Sequence, residues 1–303
     1  MKNILLTMLS LTAMITPVRA DAKPLVLVSA SYQKNIIALC ELDGTIVWQF
    51  KTGGPDGGHA GHHEVQMLDN GNILYHDDWN VVKELTLSGE EVWRYASQDV
   101  HAFTRLNNGN TMIAESGRER IIVVDAAGKI VSETPLGKDG RGKTRQAEVL
   151  ANGNFLVCAE GPGTVTEYNA KGDIVWEYKI GTRVYGAIRL TNGNTLIGSG
   201  SGNSVVEVSP DKKVVWEVKS TVPDTKIELK WTACLKELSN GHIIVDNCHA
   251  GPDSPQLFEL DPKRKVVWEF NEFDMVGNGM ACFDYLEGEK ATRVRKLVAE
   301  AKK

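Results

Sequence analysis

An Asn-Gly pair recurs at near-regular spacing along the chain, at Asn70-Gly71, Asn108-Gly109, Asn152-Gly153, Asn192-Gly193 and Asn240-Gly241. Interleaved with these pairs are short β-branched stretches that end near Trp48, Trp93, Trp176, Trp216 and Trp268. A repeat of about 40 to 45 residues is the period of a four-stranded propeller blade, a unit that cannot bury its apolar faces until neighbours stack on it. This constrains the chain to a closed ring of blades, all-β, with four antiparallel strands each.

The fourth repeat shows the pattern most clearly: Tyr185 to Leu190, turn, Thr195 to Gly198, loop, Ser204 to Val208, turn, Lys213 to Val218. Short runs rich in Val, Ile and Trp, bounded by Gly, Asn, Asp and Pro, read as strands. Asn-Gly predicts a two-residue type I′ hairpin between the first and second strands, because both central positions of that turn need positive φ. A second turn, with Asp43-Gly44, Ser88-Gly89, Ala127-Gly128 or Lys171-Gly172, joins the third strand to the fourth; Pro210-Asp211 and Pro262-Lys263 do the same later. Ser132 stands where the third repeat should carry Trp, so that blade is expected to pack less tightly.

These five Asn-Gly turns give five complete first hairpins, and Leu25 to Trp48 supplies a second, third and fourth strand before the first such turn. Met280 to Leu286 offers the missing innermost strand. Six blades closed by pairing the two ends of the chain, residues 21–287, is the economical count, and closure removes open sheet edges. Residues 288–303 read as a short charged helical tail exposed to solvent. Met1 to Ala20, with Lys2, an apolar stretch from Ile4 to Ile15 and Val18-Arg19-Ala20, reads as a secretory signal, so a secreted or periplasmic protein is expected. No later apolar run is long enough to span a membrane. Removing Lys2 and Arg19 takes the formal charge from −5 to −7, which argues against nucleic acid as a partner. Cys40, Cys158, Cys234, Cys248 and Cys282 form no regular framework and read mostly as buried thiols, with Cys234 and Cys248, which flank the Asn240-Gly241 turn, the one pair placed to face each other. No Cys-x-x-Cys is present.

The repeat register also sorts residues by face. Loops entering the innermost strand, and those joining the second strand to the third, open on one face around the channel; the Asn-Gly turns lie on the other. His242 is thereby excluded from a channel site. Aligning the inner strands on Leu68, Leu106, Leu150, Leu190, Leu238 and Leu286 puts His63, His101, Arg145, Tyr185, Ala233 and Ala281 at one position, around the channel mouth. The neighbouring loops add His59, His62, His76, Asp77, Asp78, Trp79, Glu115, Arg118, Glu160, Arg183, Trp231, Asp246 and His249. Such a convergence of titratable and aromatic groups is the usual character of a ligand site; pairing of these groups with one another is the competing expectation. His59, His62, His63 and His76 are candidate ligands for a divalent metal. A His pair with an Arg could instead act on an anionic substrate, with His63, His101 and Arg145 as the catalytic candidates. His62, His76, Asp77, Trp79, Arg118, Arg183, Tyr185, Trp231 and His249 are the candidate contacts of a small or extended ligand.

At these residues the chain resembles two propeller groups. Asp43-Gly44-Thr45-Ile46-Val47-Trp48 and Gly172-Asp173-Ile174-Val175-Trp176 look like the tryptophan-docking repeat of pyrroloquinoline-quinone-type propellers. The run from His62 to Asn72, echoed from His101 to Asn110, is similar to bacterial arylsulfate sulfotransferases, which are periplasmic six-bladed propellers. That second resemblance implies a channel histidine carrying a sulfuryl group to a phenol, with Arg145 on the sulfate oxygens. Those enzymes are much longer, and Glu64 stands where they would have Asp. Pyrroloquinoline quinone itself is not expected, since its dehydrogenases are larger and bind calcium through an acidic cluster. The residues thus favour a channel-face ligand site, with a sulfotransferase-like enzyme and an envelope protein-interaction scaffold as the alternatives.

Overall fold

A computed structural model describes residues 23–31, 34–53, 63–137 and 144–302. The expected leader, Met1 to Ala20, lies outside these. Six four-stranded antiparallel sheets form the blades. In blade 1 the strand Met280–Leu286 pairs with Leu25–Ala30, in the register Leu25 to Leu286 and Val28 to Phe283, so the two ends of the chain share one sheet. The inner strands of blades 2 to 6 are Val65–Met67, Val100–Arg105, Thr144–Val149, Gly186–Arg189 and Trp231–Glu237. Second and third strands are mostly buried on both faces, whereas fourth strands alternate or lie open. No helix among the described residues is long and apolar enough to cross a membrane.

The tryptophans stitch the ring. The indole N–H of Trp48 donates to the Leu87 carbonyl of the next blade (2.8 Å), Trp93 to Ala126 (3.1 Å) and Trp176 to Pro210 (3.0 Å). Trp268 closes the circle on Leu42 (2.8 Å). Blade 3 lacks this Trp, yet Thr134, two residues beyond Ser132, donates its hydroxyl to Ala170 (3.1 Å) at the equivalent turn. The link between blades 3 and 4 therefore survives without the indole's packing area.

The Asn-Gly turns depart from the expected type I′. Only the glycine has positive φ (Gly71 +86°, Gly193 +87°), and hydrogen bonds from Gly71 N to Leu68 O and from Leu68 N to Asn72 O define a longer turn ending in a bulge. The asparagine side chain decides this: Asn70 Oδ1 accepts the N–H of Asn72 (2.9 Å), holding Asn70 in an Asx turn. The amides of Asn70 and Asn72 then both donate to Glu84, which also accepts from Arg105 of the next blade (2.9 Å). Arg105 lies over Trp93. The same arrangement recurs at Glu167 with Asn152, Asn154 and Arg189. In blade 6 His242 takes the second Asn position and pairs with Glu259, a structural role on the face away from the channel mouth.

The cysteines are buried thiols, as expected: all five are free, Cys234 and Cys248 included. A bulge between Thr232 and Leu235 shifts the register so that Cys248 pairs with Trp231, and the Cys234 and Cys248 thiols donate instead to the Ala281 and Asn278 carbonyls. The C-terminal segment is not a solvated tail. It forms helix α2 (Gly288–Ala301), which buries Ala291, Val294 and Val298, and Leu297 packs over Gly71. Arg295 grips Glu41 with both terminal nitrogens and the Lys23 carbonyl at 2.9 Å, and its guanidinium holds the Glu41 carboxyl below its usual range. Arg295→Ala should cost about 1–2 kcal/mol, the worth of a charge-assisted bidentate contact, read as a lower urea midpoint with earlier proteolysis inside α2.

Candidate functional site at the channel mouth

In a ring of six, blades 2 and 5 face each other. His63, entering the inner strand of blade 2, meets Tyr185, entering that of blade 5: the Tyr185 hydroxyl and His63 Nδ1 are hydrogen-bonded across the channel. Burial raises the Tyr185 phenol well above its ordinary value, so the phenol keeps its proton and donates it to the imidazole. This contact forms a bar over the channel. His101 of blade 3 lies edge-on to His63, with ring centres 5.0 Å apart, and Trp79 packs on both, at 4.7 Å from His63 and 4.1 Å from His101.

His76 props the bar from beneath. It is fully buried; its Nε2 accepts the backbone N–H of His63 (2.9 Å) and its Nδ1–H donates to the Asp78 carbonyl (3.1 Å). With both ring nitrogens engaged, His76 cannot serve as the metal ligand or ligand contact the sequence suggested. Among the described residues no group of three or more His, Cys, Asp or Glu side chains is placed to hold a metal ion. His59 and His62, and the side chain of Asp77, lie outside the described structure.

His101 is buried between an acid and a base. Its Nε2 contacts Asp99 (3.2 Å) and Arg145 NH1 lies 3.0 Å from its ring nitrogens. Burial lowers the pKa of His101, and the Arg145 charge acts in the same direction, which outweighs the opposing pull of Asp99. A neutral ring with Nε2–H donating to Asp99 and Nδ1 accepting from Arg145 satisfies all three groups. Asp99 was missed in the sequence; its place two residues before His101 on the same strand entry was the available signal.

Arg145 also donates to Glu160 through Nε (2.7 Å), and Arg183 approaches the other oxygen of the same carboxylate (3.4 Å). Arg183 is 61% exposed and lies over Trp231, which in turn stands edge-on to His249. Arg118 stands apart from these, paired with the fully buried Glu115 (3.1 Å), which Arg120 and Ser97 also hold. Asp246 is buried, and burial raises its pKa well above the ordinary carboxylate range against the weaker pull of the Cys234 backbone N–H. The structure thus brings His63, Trp79, His101, Arg145 and Tyr185 into one cluster, with Arg183, Trp231 and His249 as a second group joined to it through Glu160.

Beneath the bar the inner strands enclose a cavity of about 490 Å³, walled by Glu64, Gln66, Gln146, Glu148, Lys236 and Asp284. These polar side chains have a structural task. Each inner strand presents a free edge to the channel, and for blades 2, 3 and 5 the neighbouring strand supplies the acceptors: Asp284 takes the N–H of Met67 (3.1 Å), Gln66 that of Arg105 (2.7 Å), Gln146 that of Ala187 (2.9 Å) and Glu148 that of Arg189 (3.0 Å). Burial pushes the carboxyl of Glu148 up to about 7 and that of Glu64 up to about 8.

Comparison with known proteins bears on the fold and the family. A protein of unknown function from Bacteroides caccae superposes with a TM-score of 0.75 at 23% identity, covering 88% of this chain and 99% of that one. Virginiamycin B lyase from Staphylococcus aureus superposes with a TM-score of 0.58 at 15% identity, over 82% of this chain and 89% of the lyase. At these identities the likeness is one of fold. No curated protein matches in sequence. Residues 117–271, about half the chain, match the PQQ-like repeat family described as outer membrane protein assembly factor BamB. With its six blades and its docked tryptophans, the chain belongs to that family of PQQ-like β-propellers.

Proposed function

We propose that this protein is a secreted or periplasmic propeller that binds a small or extended ligand at its His- and Arg-lined channel mouth. The observation that supports it is the convergence of His63, Trp79, His101, Arg145 and Tyr185 from loops and strand entries of four blades onto one spot, with aromatic faces and guanidinium groups side by side. Such a surface suits a ligand with a flat or sugar-like face and polar edges. Catalysis is the weaker reading, because the imidazoles already have partners: His63 with Tyr185, His101 with Asp99 and Arg145, His76 with two backbone groups.

The test is a thermal-shift screen of sugars, aryl sulfates and amino acids, followed by titration of any hit against Trp79→Ala. Trp79 supplies aromatic area without a buried charge, so the variant should fold and yet bind about tenfold more weakly, the worth of one lost aromatic contact. Unchanged affinity would remove the site. Release of nitrophenol from 4-nitrophenyl sulfate in the presence of a phenol, abolished by His63→Ala or His101→Ala, would move the reading from binding to sulfuryl transfer.

A second reading, docking of another envelope protein on the blade rims, has an observation of its own. Every outer strand exposes a β-branched residue within two positions of its Trp or, in blade 3, of Ser132: Ile46, Val92, Val131, Val175, Val215 and Val267. These lie on open sheet edges, and the family description, an outer membrane protein assembly factor, concerns a protein that works with others. A rim-bound partner would be indifferent to Trp79→Ala.

A further inference from the structure

Between blades 6 and 1, outward from the channel mouth, lies a cleft of about 590 Å³. One wall is the loop after Ile243–Cys248, carrying His249; the second is the short helix α1 (Phe273–Val276) with the turn Gly277 to Gly279; the third is the end of Leu25–Ala30 with Ser31 and Lys34. The volume falls within the range of small-molecule sites.

Three features distinguish this cleft from a chance gap. Its walls are tied to one another. Ser31 N and Oγ both donate to the Gly279 carbonyl (3.0 and 3.1 Å), the Cys248 thiol to the Asn278 carbonyl and Gly251 N to Asn278 Oδ1 (3.1 Å), so the walls need no reordering when a ligand enters. His249 follows the buried strand end at Cys248 with φ +62°, which turns its ring to the cleft's edge against Trp231. Finally, the lining is aromatic and cationic. Phe273 and His249 offer ring surface, and the Lys34 ammonium is tethered to the backbone carbonyl of Asp274, with no carboxylate partner among the described residues. Among the described residues, none that lines the cleft is acidic.

We propose that this cleft is a second binding site, for a planar organic anion of the aryl sulfonate or aryl carboxylate type. The ring of the ligand packs between Phe273 and His249, and its anionic group meets Lys34 and the Asn278 side chain at the mouth. The site is separate from the His63–Tyr185 bar, so it stands whether or not the channel mouth binds anything.

The experiment is isothermal titration of the full chain with 1-naphthalenesulfonate and with the neutral 1-naphthalenemethanol. The sulfonate should bind with one-to-one stoichiometry and the alcohol about tenfold or more weakly, since one charge-assisted hydrogen bond is worth roughly that factor. Phe273→Ala and Lys34→Gln should each weaken the sulfonate by a similar factor; Lys34 is exposed, so the second variant keeps the test independent of any packing damage from the first. Trp79→Ala should leave sulfonate affinity unchanged. Absence of saturable heat, equal affinity for the alcohol, or loss of binding in Trp79→Ala while Lys34→Gln and Phe273→Ala bind normally would each overturn the assignment.

Discussion

Replacing Trp268 by Ala is expected to cost about 3 kcal/mol, a large-to-small change at a partly buried aromatic. Trp268 sits where blade 6 meets blade 1, its ring tilted against Phe270 with centres 6.0 Å apart, and its indole N–H makes the hydrogen bond that closes the circle of blades on Leu42. Truncation removes the packing area and leaves the Leu42 carbonyl without its donor. Trp268→Phe separates the two losses. It keeps most of the ring surface and forfeits only the hydrogen bond, so its cost should be near 1 kcal/mol. Urea midpoints of both variants give the answer directly. An alanine variant as stable as the parent would show that the shared sheet of blade 1 closes the ring without help from the indole.

The second large effect is one of pH, at Glu64 in the channel wall. Burial is the main force on this carboxyl; the Val65 N–H and Lys236 favour its charged form, while Asp284 disfavours it, and the outcome is a value of about 8. The unfolded chain would release this proton near 4.5. Between these values the folded protein holds a proton that the unfolded chain has lost, so Glu64 makes stability fall as pH rises through this window, and the penalty is complete above about pH 8. Glu64→Gln cannot ionise. It should match the parent at pH 5 and exceed it by about 2 kcal/mol at pH 9, less than the full linkage value because Glu64 keeps some contact with the channel solvent. Denaturation midpoints at pH 5, 7 and 9 test this, and a difference between the two proteins that does not change with pH would refute it. Glu148, raised to about 7, adds a slope of the same sign in the parent.

The architecture was legible because each blade repeats the same short-range chemistry. Trp48, Trp93, Trp176 and Trp268 announced the docking strands, and the apolar run Met280 to Leu286 could be assigned to blade 1 because three strands at the start of the chain lacked an inner partner. Alignment on the inner-strand leucines even placed His63, His101, Arg145 and Tyr185 at one level, and the structure does bring these four together. The turn type was less legible: Asn-Gly predicts a I′ hairpin by backbone preference alone, whereas the Asn70 side chain bonds to Asn72 and selects a longer turn. The sequence of helix α2 reads as solvated because charged residues are spread along its whole length. Ala291, Val294 and Val298 form a narrow apolar stripe whose meaning depends on a partner surface, and that surface is assembled from blades 1 and 2, far away in sequence.

What the sequence determined by itself was everything governed by period and local preference: the number of blades, the strand order within each, the closure of the ring and the side of the ring on which each loop opens. Only the tertiary structure decided how the side chains at the mouth are used. Whether His76 is a ligand or a prop depends on the position of the His63 N–H; whether His101 is charged depends on the depth of its burial and on Arg145, and the cleft at Lys34 and His249 exists only where the first and last blades meet. Repeats are written residue by residue, but a hydrogen bond across a channel joins residues 122 positions apart, and no local pattern carries that distance.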